Sequence, residues 1–253
     1  MPASKHILVV LLLMLFGKSF AQQTDDNNFY NEIKNYDISV VLMAKMINIE
    51  GEGLQKRAEP IGFIGDDFQR FFIHFSSVVK SEKNKYEYTV TGKTKVRETI
   101  RLFQGTLTIK KADLEKSREF PDYIGGTATC ELKLYEDKKQ SSTGLIQGEM
   151  MVGYILDSKK KMSYDAYLYM TDGFSNNTFR GTWTSYRTNL SKKCNWGDYR
   201  IPESGDLDIG AGEFSPNTKY ASKGWKSYAL NLADRTDPES VHAKKTEAAT
   251  WWK

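Results

Sequence analysis

The chain has 253 residues, with 36 lysines and arginines against 32 aspartates and glutamates, and it holds two cysteines and three histidines. That near-balance of charge gives no global case for nucleic-acid or membrane-surface binding, and so few histidines and cysteines disfavour a zinc or copper site. The length suits one large all-β domain or a medium domain with appendages, either of which can bury a sizeable core.

The N-terminus reads as a cleavable export signal. Lys5 and His6 precede the apolar run from Ile7 to Phe16, and Ser19-Phe20-Ala21 sets small residues at −3 and −1 of a cleavage point after Ala21. The run is too short to span a bilayer, which takes about 20 residues. No cysteine stands near the cleavage point to carry a lipid anchor. The expected mature protein starts at Gln22, has no transmembrane segment and is secreted or periplasmic. Lys5 and Lys18 leave with the signal, which brings the mature chain closer to neutral.

From about residue 37 to 202 the pattern is one of strands. Asp37 to Asn48, Ala58 to Ile64 and Phe68 to Val79 are strand candidates. Tyr86, Tyr88, Val90, Thr94, Val96, Ile100 and Leu102 then share even positions, the period of a strand with one apolar face. Phe103, Gly105, Leu107 and Ile109 carry the apolar row on odd positions, so a β-bulge or sharp bend is expected between Leu102 and Phe103. Gly92 marks a second bend or turn. Residues 112 to 119 read as a short helix or a capping loop.

A meander follows. Its rows are Ala128 to Leu134, Ile146 to Leu156, Met162 to Met170, and Phe179 with Gly181 and Trp183. Polar turns separate these rows, as sequential antiparallel hairpins require. About ten long strands leave exposed edges unless the sheet closes or splits into two layers. The expected fold is therefore all-β, an antiparallel up-and-down barrel over residues 22–202, with a β-sandwich as the alternative. Residues 203–235 read as an irregular glycine-rich segment. In the tail 236–253, Thr236-Asp237-Pro238-Glu239 predicts a helix over roughly 238 to 251, with only a thin apolar stripe for docking.

With its long strands, its meander and the phrase Gly181-Thr182-Trp183-Thr184-Ser185, the chain resembles calycin-type barrels, the group that holds lipocalins and avidins. Lipocalins place their Gly-x-Trp near the first strand, whereas here it falls late, so no ligand residue is carried over. The resemblance implies a barrel that holds a small molecule at an open end. In size and export signal the chain also resembles many exported bacterial proteins, which implies no activity.

On the barrel reading, Tyr86, Tyr88, Met150, Tyr154, Tyr164, Met170 and Trp183 form the candidate wall of a cavity for a small apolar or amphipathic ligand. Ordinary core packing accounts for the same residues without a ligand. Glu98, lying in the apolar row between Val96 and Ile100, joins the wall as an acid that needs a partner or an elevated pKa. With a second inward carboxylate it would support glycoside hydrolysis, though no catalytic residue is assigned. Lys93, Lys95, Arg97 and Arg101 alternate along one strand as a basic stripe for an envelope polyanion or protein, or simply as a solvated face that discourages edge pairing. No aromatic interrupts them, which argues against nucleic acid.

Cys130 and Cys194 allow one disulfide in an oxidising compartment, or two separate buried thiols. Glu203, Asp206, Asp208 and Glu213 offer hard oxygens in the glycine-rich segment, in a spacing that does not complete an EF-hand. His74 reads as a partly exposed structural histidine. No nucleophile elbow, phosphate loop or cofactor motif is present.

Overall fold

The computed structural model describes residues 27–116, 123–233 and 235–253; the predicted export signal lies outside the described residues. The described chain enters through two short helices, α1 (Tyr30–Ile33) and α2 (Ser39–Leu42), and a small hairpin of β1 (Met46–Ile49) and β2 (Gly53–Lys56). The strand expected over Asp37 to Asn48 is thus a helical turn followed by β1. Asp37 Oδ1 accepts the Ser39 N–H, which favours a turn over extension. Ile38, Val41 and Leu42 are all buried at i, i+3 and i+4, the spacing of a helix face.

The main sheet has nine antiparallel strands and closes in a ring. In chain order they are β3 (Ile61–Ile64), β4 (Gln69–Lys80), β5 (Glu87–Val96), β6 (Thr99–Lys116), β7 (Tyr123–Glu136), β8 (Gly144–Asp157), β9 (Met162–Tyr164), β10 (Asn176–Ser185) and β11 (Ser191–Asp198). The meander runs from β3 to β8, β10 takes up the edge of β8, and β11 returns to β3. Eight strands complete the ring, and β9 pairs with β8 alone. Closure removes the open edges that a sandwich would leave.

The parity change near Leu102 comes from a two-residue hairpin, Arg97-Glu98, between the paired Val96 and Thr99. Ile100 and Leu102 consequently face outward and are exposed, while the inward row resumes at Phe103. The bulge of β6 sits further on, between Ile109 and Lys111, and Ala112 to Lys116 continue the strand where a helix or loop was expected. Gly92 is no turn either. It lies within β5 opposite Phe103, whose ring would be 2.5 Å from any Cβ placed there.

The row expected from Met162 to Met170 stops at Tyr164, leaving Leu168 and Met170 exposed. The Asn176 side chain causes the stop. Its amide accepts from Gly153 N–H at 2.7 Å and donates to Gly153 O and Asp165 O, filling the next ladder position of β8 before β10 takes over.

Side chains fill most of the barrel. An eight-stranded ring leaves an interior that side chains can fill or that holds one small ligand. Phe179 stacks on Trp196 with centroids 3.8 Å apart, Phe71 lies 5.9 Å beyond, and Tyr88, Cys130, Leu132 and Val152 are fully buried around them. The N-terminal helices plug the end where β5 begins, with Phe29 N–H donating to Ala112 O.

Residues 199–253 form an outer layer over β3 and β4. Ile61 and Phe63 point outward into a second core with Ile201, Leu207, Phe214 and Trp225, so all four residues of β3 are buried. The segment 205–217 is irregular apart from a 3-10 turn at Gly205–Leu207. After α3 (Lys226–Leu232), α4 (Pro238–Glu247) starts at an Asp237 cap that accepts from Ser240 N–H. The tail docks by more than a thin stripe. Glu247 receives both Arg70 Nη atoms at 2.7 and 2.6 Å, Trp251 packs edge-on against Phe72, and Trp252 stacks on His74. Among the described residues no helix is long and apolar enough to cross a membrane.

Candidate functional site

The plugged end consumes most of the aromatic residues expected to line a cavity. Tyr88 accepts Ile38 N–H at its hydroxyl, and Tyr86 stacks on Tyr30 at 4.6 Å. The Tyr154 hydroxyl donates to Asp113 O, and that of Tyr164 to Asp198 Oδ2. Burial raises all three buried tyrosines, Tyr88, Tyr154 and Tyr164, above the ordinary phenol range, so they act as neutral hydrogen-bonding groups. Met150 is core, and Met170 is 69% exposed on the surface.

Asp198 anchors this end. It is fully enclosed, receives Asn177 Nδ2 at 2.8 Å, and has Arg57 Nη1 at 3.5 Å. Arg57 also donates to Val41 O and Leu42 O, the last carbonyls of α2, and so ties the plug to the barrel. Desolvation raises the Asp198 carboxyl above its ordinary value, despite the Arg57 charge that lowers it.

The opposite end is open. The β3–β4 turn, the Arg97-Glu98 hairpin and the β7–β8 loop surround a cavity of about 370 Å³. Ile64, Phe71, Val96 and Trp183 supply its apolar wall, and Arg97, Arg101 and Lys192 bring cations to it. In its lining stands Glu136, 5% exposed, at the end of the β7 row. Glu136 Oε1 accepts from Thr94 Oγ1 at 2.8 Å, while Oε2 accepts from Gly144 N–H and Trp183 Nε1–H, both at 2.9 Å. Three donors make a buried carboxylate tolerable. They also fix the indole plane, which lies so close over Gly144 that a Cβ there would meet the ring at 2.7 Å.

Of the expected wall, only Trp183 reaches this cup. Glu98 is 95% exposed at the hairpin tip, in an ion pair with Lys95, because the hairpin reverses the row that was expected to carry it inside. The basic stripe divides. Lys93 and Lys95 stay on the outer face, with Lys95 5.8 Å from the Phe72 ring centre, whereas Arg97 and Arg101 line the cup. Glu136 escaped the sequence reading although its signal was present: it is the next even position after Ala128, Cys130, Leu132 and Leu134.

Cys130 and Cys194 are free buried thiols on β7 and β11, with β8 and β10 between them around the ring. Burial pushes both thiols up. Three of the four acidic residues noted in the glycine-rich segment have cationic partners rather than a shared site: Asp208 with Arg200, Asp206 with Lys219, and Glu203 with Lys193. His74 Nδ1 lies 2.9 Å from Glu59.

A wider groove, about 810 Å³, crosses the outer face of β8 and β10 beneath the 165–175 and 200–208 loops. Its central polar groups are already engaged. Asn176 completes the β8 ladder, and Arg200 holds Asp208 together with Gly210 O and Gly212 O. The cup differs in combining a fixed aromatic wall with cations that have donors to spare, which is what a small-molecule site needs. Comparisons of the chain with protein-family models, with curated proteins and with solved structures give no match.

Proposed function

We propose that this is an exported, non-catalytic barrel of the calycin kind, secreted or periplasmic, that binds a small apolar or amphipathic ligand in the cup at its open end. One observation carries the reading: the apolar wall around Trp183 is held in a fixed orientation by Glu136 inside a recess that no other part of the described chain fills. Pre-set walls lower the entropy lost on binding, and ligand sites are characteristically concave, largely apolar and pre-formed. At ~30 Å³ per heavy atom, the share of one water in the liquid, the cup accommodates about a dozen heavy atoms.

Hydrolysis has less support at this site, since Glu98 is exposed at the hairpin tip and Glu136 already accepts from three donors. The test is mass spectrometry of organic extracts from the mature protein, purified gently from its native exported fraction beside a Trp183→Ala variant. A stoichiometric small molecule from the wild type and its loss from the variant is the expected outcome. A molecule retained equally by both proteins would move the site away from the cup.

A further inference from the structure

The charged groups around the cup bear on the charge and orientation of its occupant. The lining contains three cations and two acids, Asp67 and Glu136. Both acids are spoken for. Asp67 is paired with Lys223 at 2.6 Å, and Glu136 is satisfied by Thr94, Gly144 and Trp183. The cations are not used to the same extent. Arg101 gives Nε and Nη2 to Ser141 O, but Arg97 commits only Nε, to Gln69 Oε1, and its two Nη groups have no partner among the described residues. Lys192 has none either.

The backbone at Arg97 is a separate observation. Its φ is +53°, the left-handed region that a two-residue hairpin favours with glycine or asparagine. Glycine would take that conformation without steric cost, whereas arginine is held in it against its own preference. The chain therefore keeps a strained residue at the mouth of the cup and leaves its guanidinium fork free.

We infer that the cup takes a short amphipathic monoanion, its apolar body inward against Trp183, Phe71 and Val96 and its anionic group at the rim between Arg97 and Lys192. The recessed Glu136 enforces that direction, because a carboxylate pushed inward would approach a like charge, while at the rim it meets two unsatisfied cations. The proposal rests on the cup being the ligand site.

The test is calorimetric titration of the mature chain with three probes of one length: octanoate, octan-1-ol and octylamine. Octanoate is expected to bind at least tenfold tighter than octan-1-ol, with octylamine weakest, and added salt is expected to shrink the difference. Arg97→Gly should weaken octanoate far more than octan-1-ol and so erase most of the acid preference. Because glycine relaxes the hairpin, that variant should unfold at the same temperature as the wild type or higher, which separates lost recognition from lost folding. Equal binding of acid and alcohol, or a preference that survives both Arg97→Gly and Lys192→Ala, would overturn the inference and leave the cup standing. If none of the three probes binds, the cup reading falls and the inference with it.

Discussion

Trp183 Nε1 donates to Glu136 Oε2 across 2.9 Å, joining β10 to the end of β7 around the rim of the open cup. The two strands are not neighbours; β8 lies between them, and its first residue, Gly144, donates to the same oxygen. One carboxylate thereby sets the position of the indole, the start of β8 and the Thr94 hydroxyl.

Glu136→Ala leaves three donors at the rim without their acceptor and is expected to cost about 2–4 kcal/mol of stability, the range for unpairing buried groups that bond to a charge. Glu136→Gln is expected to cost less, since the amide oxygen can keep some of these bonds while its NH₂ faces donors. Urea unfolding of the two variants measures the difference. Equal stability of wild type and Glu136→Ala would remove the carboxylate from its organising role.

At the plugged end, Asp198 has an elevated pKa, so the folded state holds its proton more tightly than the unfolded chain does. The stability this adds is fully present below the unfolded value near 3.8 and is lost as pH rises through the higher folded value. Asp165, also raised by burial, acts in the same direction. Asp198→Asn should flatten the fall in stability above pH 4, read as the urea midpoint against pH. An unchanged slope would show that Asp198 does not carry the effect.

Arg57→Ala removes the cation closest to Asp198 and frees the terminal carbonyls of α2. The expected loss is about 3 kcal/mol, as for breaking a buried pair from one side. Hydrogen exchange should localise it, with amides of residues 30–49 losing protection before those of β5 to β8.

The C-terminal tail is expected to be a structural clasp. Arg70 is 5% exposed at its side chain, bonded twice to Glu247 and surrounded by the rings of Phe72, Trp225 and Tyr228. Deleting residues 236–253 strands this charge and uncovers Phe72 and His74, so about 3–5 kcal/mol should be lost. Glu247→Ala reproduces much of that effect if the ion pair dominates, and a thermal melt of both variants checks it.

Much of the barrel was legible in the sequence because period-two alternation survives wherever one strand face is wet. Alternation is absent at β3, whose outer face is covered by the C-terminal layer, although a strand over Ala58 to Ile64 was expected there; at residues 38–42 the expected strand is a helical turn, since four apolar residues in five fit either. The hairpin at Arg97-Glu98 lacks glycine and asparagine, so the parity change it causes points instead to a bulge or bend between Leu102 and Phe103. That single misplacement put Glu98 inside and Ile100 with it. Glu136 was hidden differently: an acid at the end of an apolar row looks like the start of a turn until its donors are brought to it, two of which, Thr94 and Trp183, lie 42 and 47 positions away. The same holds for the tail, since Arg70 and Glu247 are 177 positions apart.

The measurement that bears most directly on the cup is a backbone NMR titration of residues 22–253 with octanoate and with octan-1-ol. Shifts confined to Val96, Arg97, Gly144, Trp183 and Lys192 are the expected result, with the Trp183 indole N–H among the largest. Shifts clustered instead at Gly153, Asp165 and Ser204 would place binding in the outer groove and contradict the cup as the functional site.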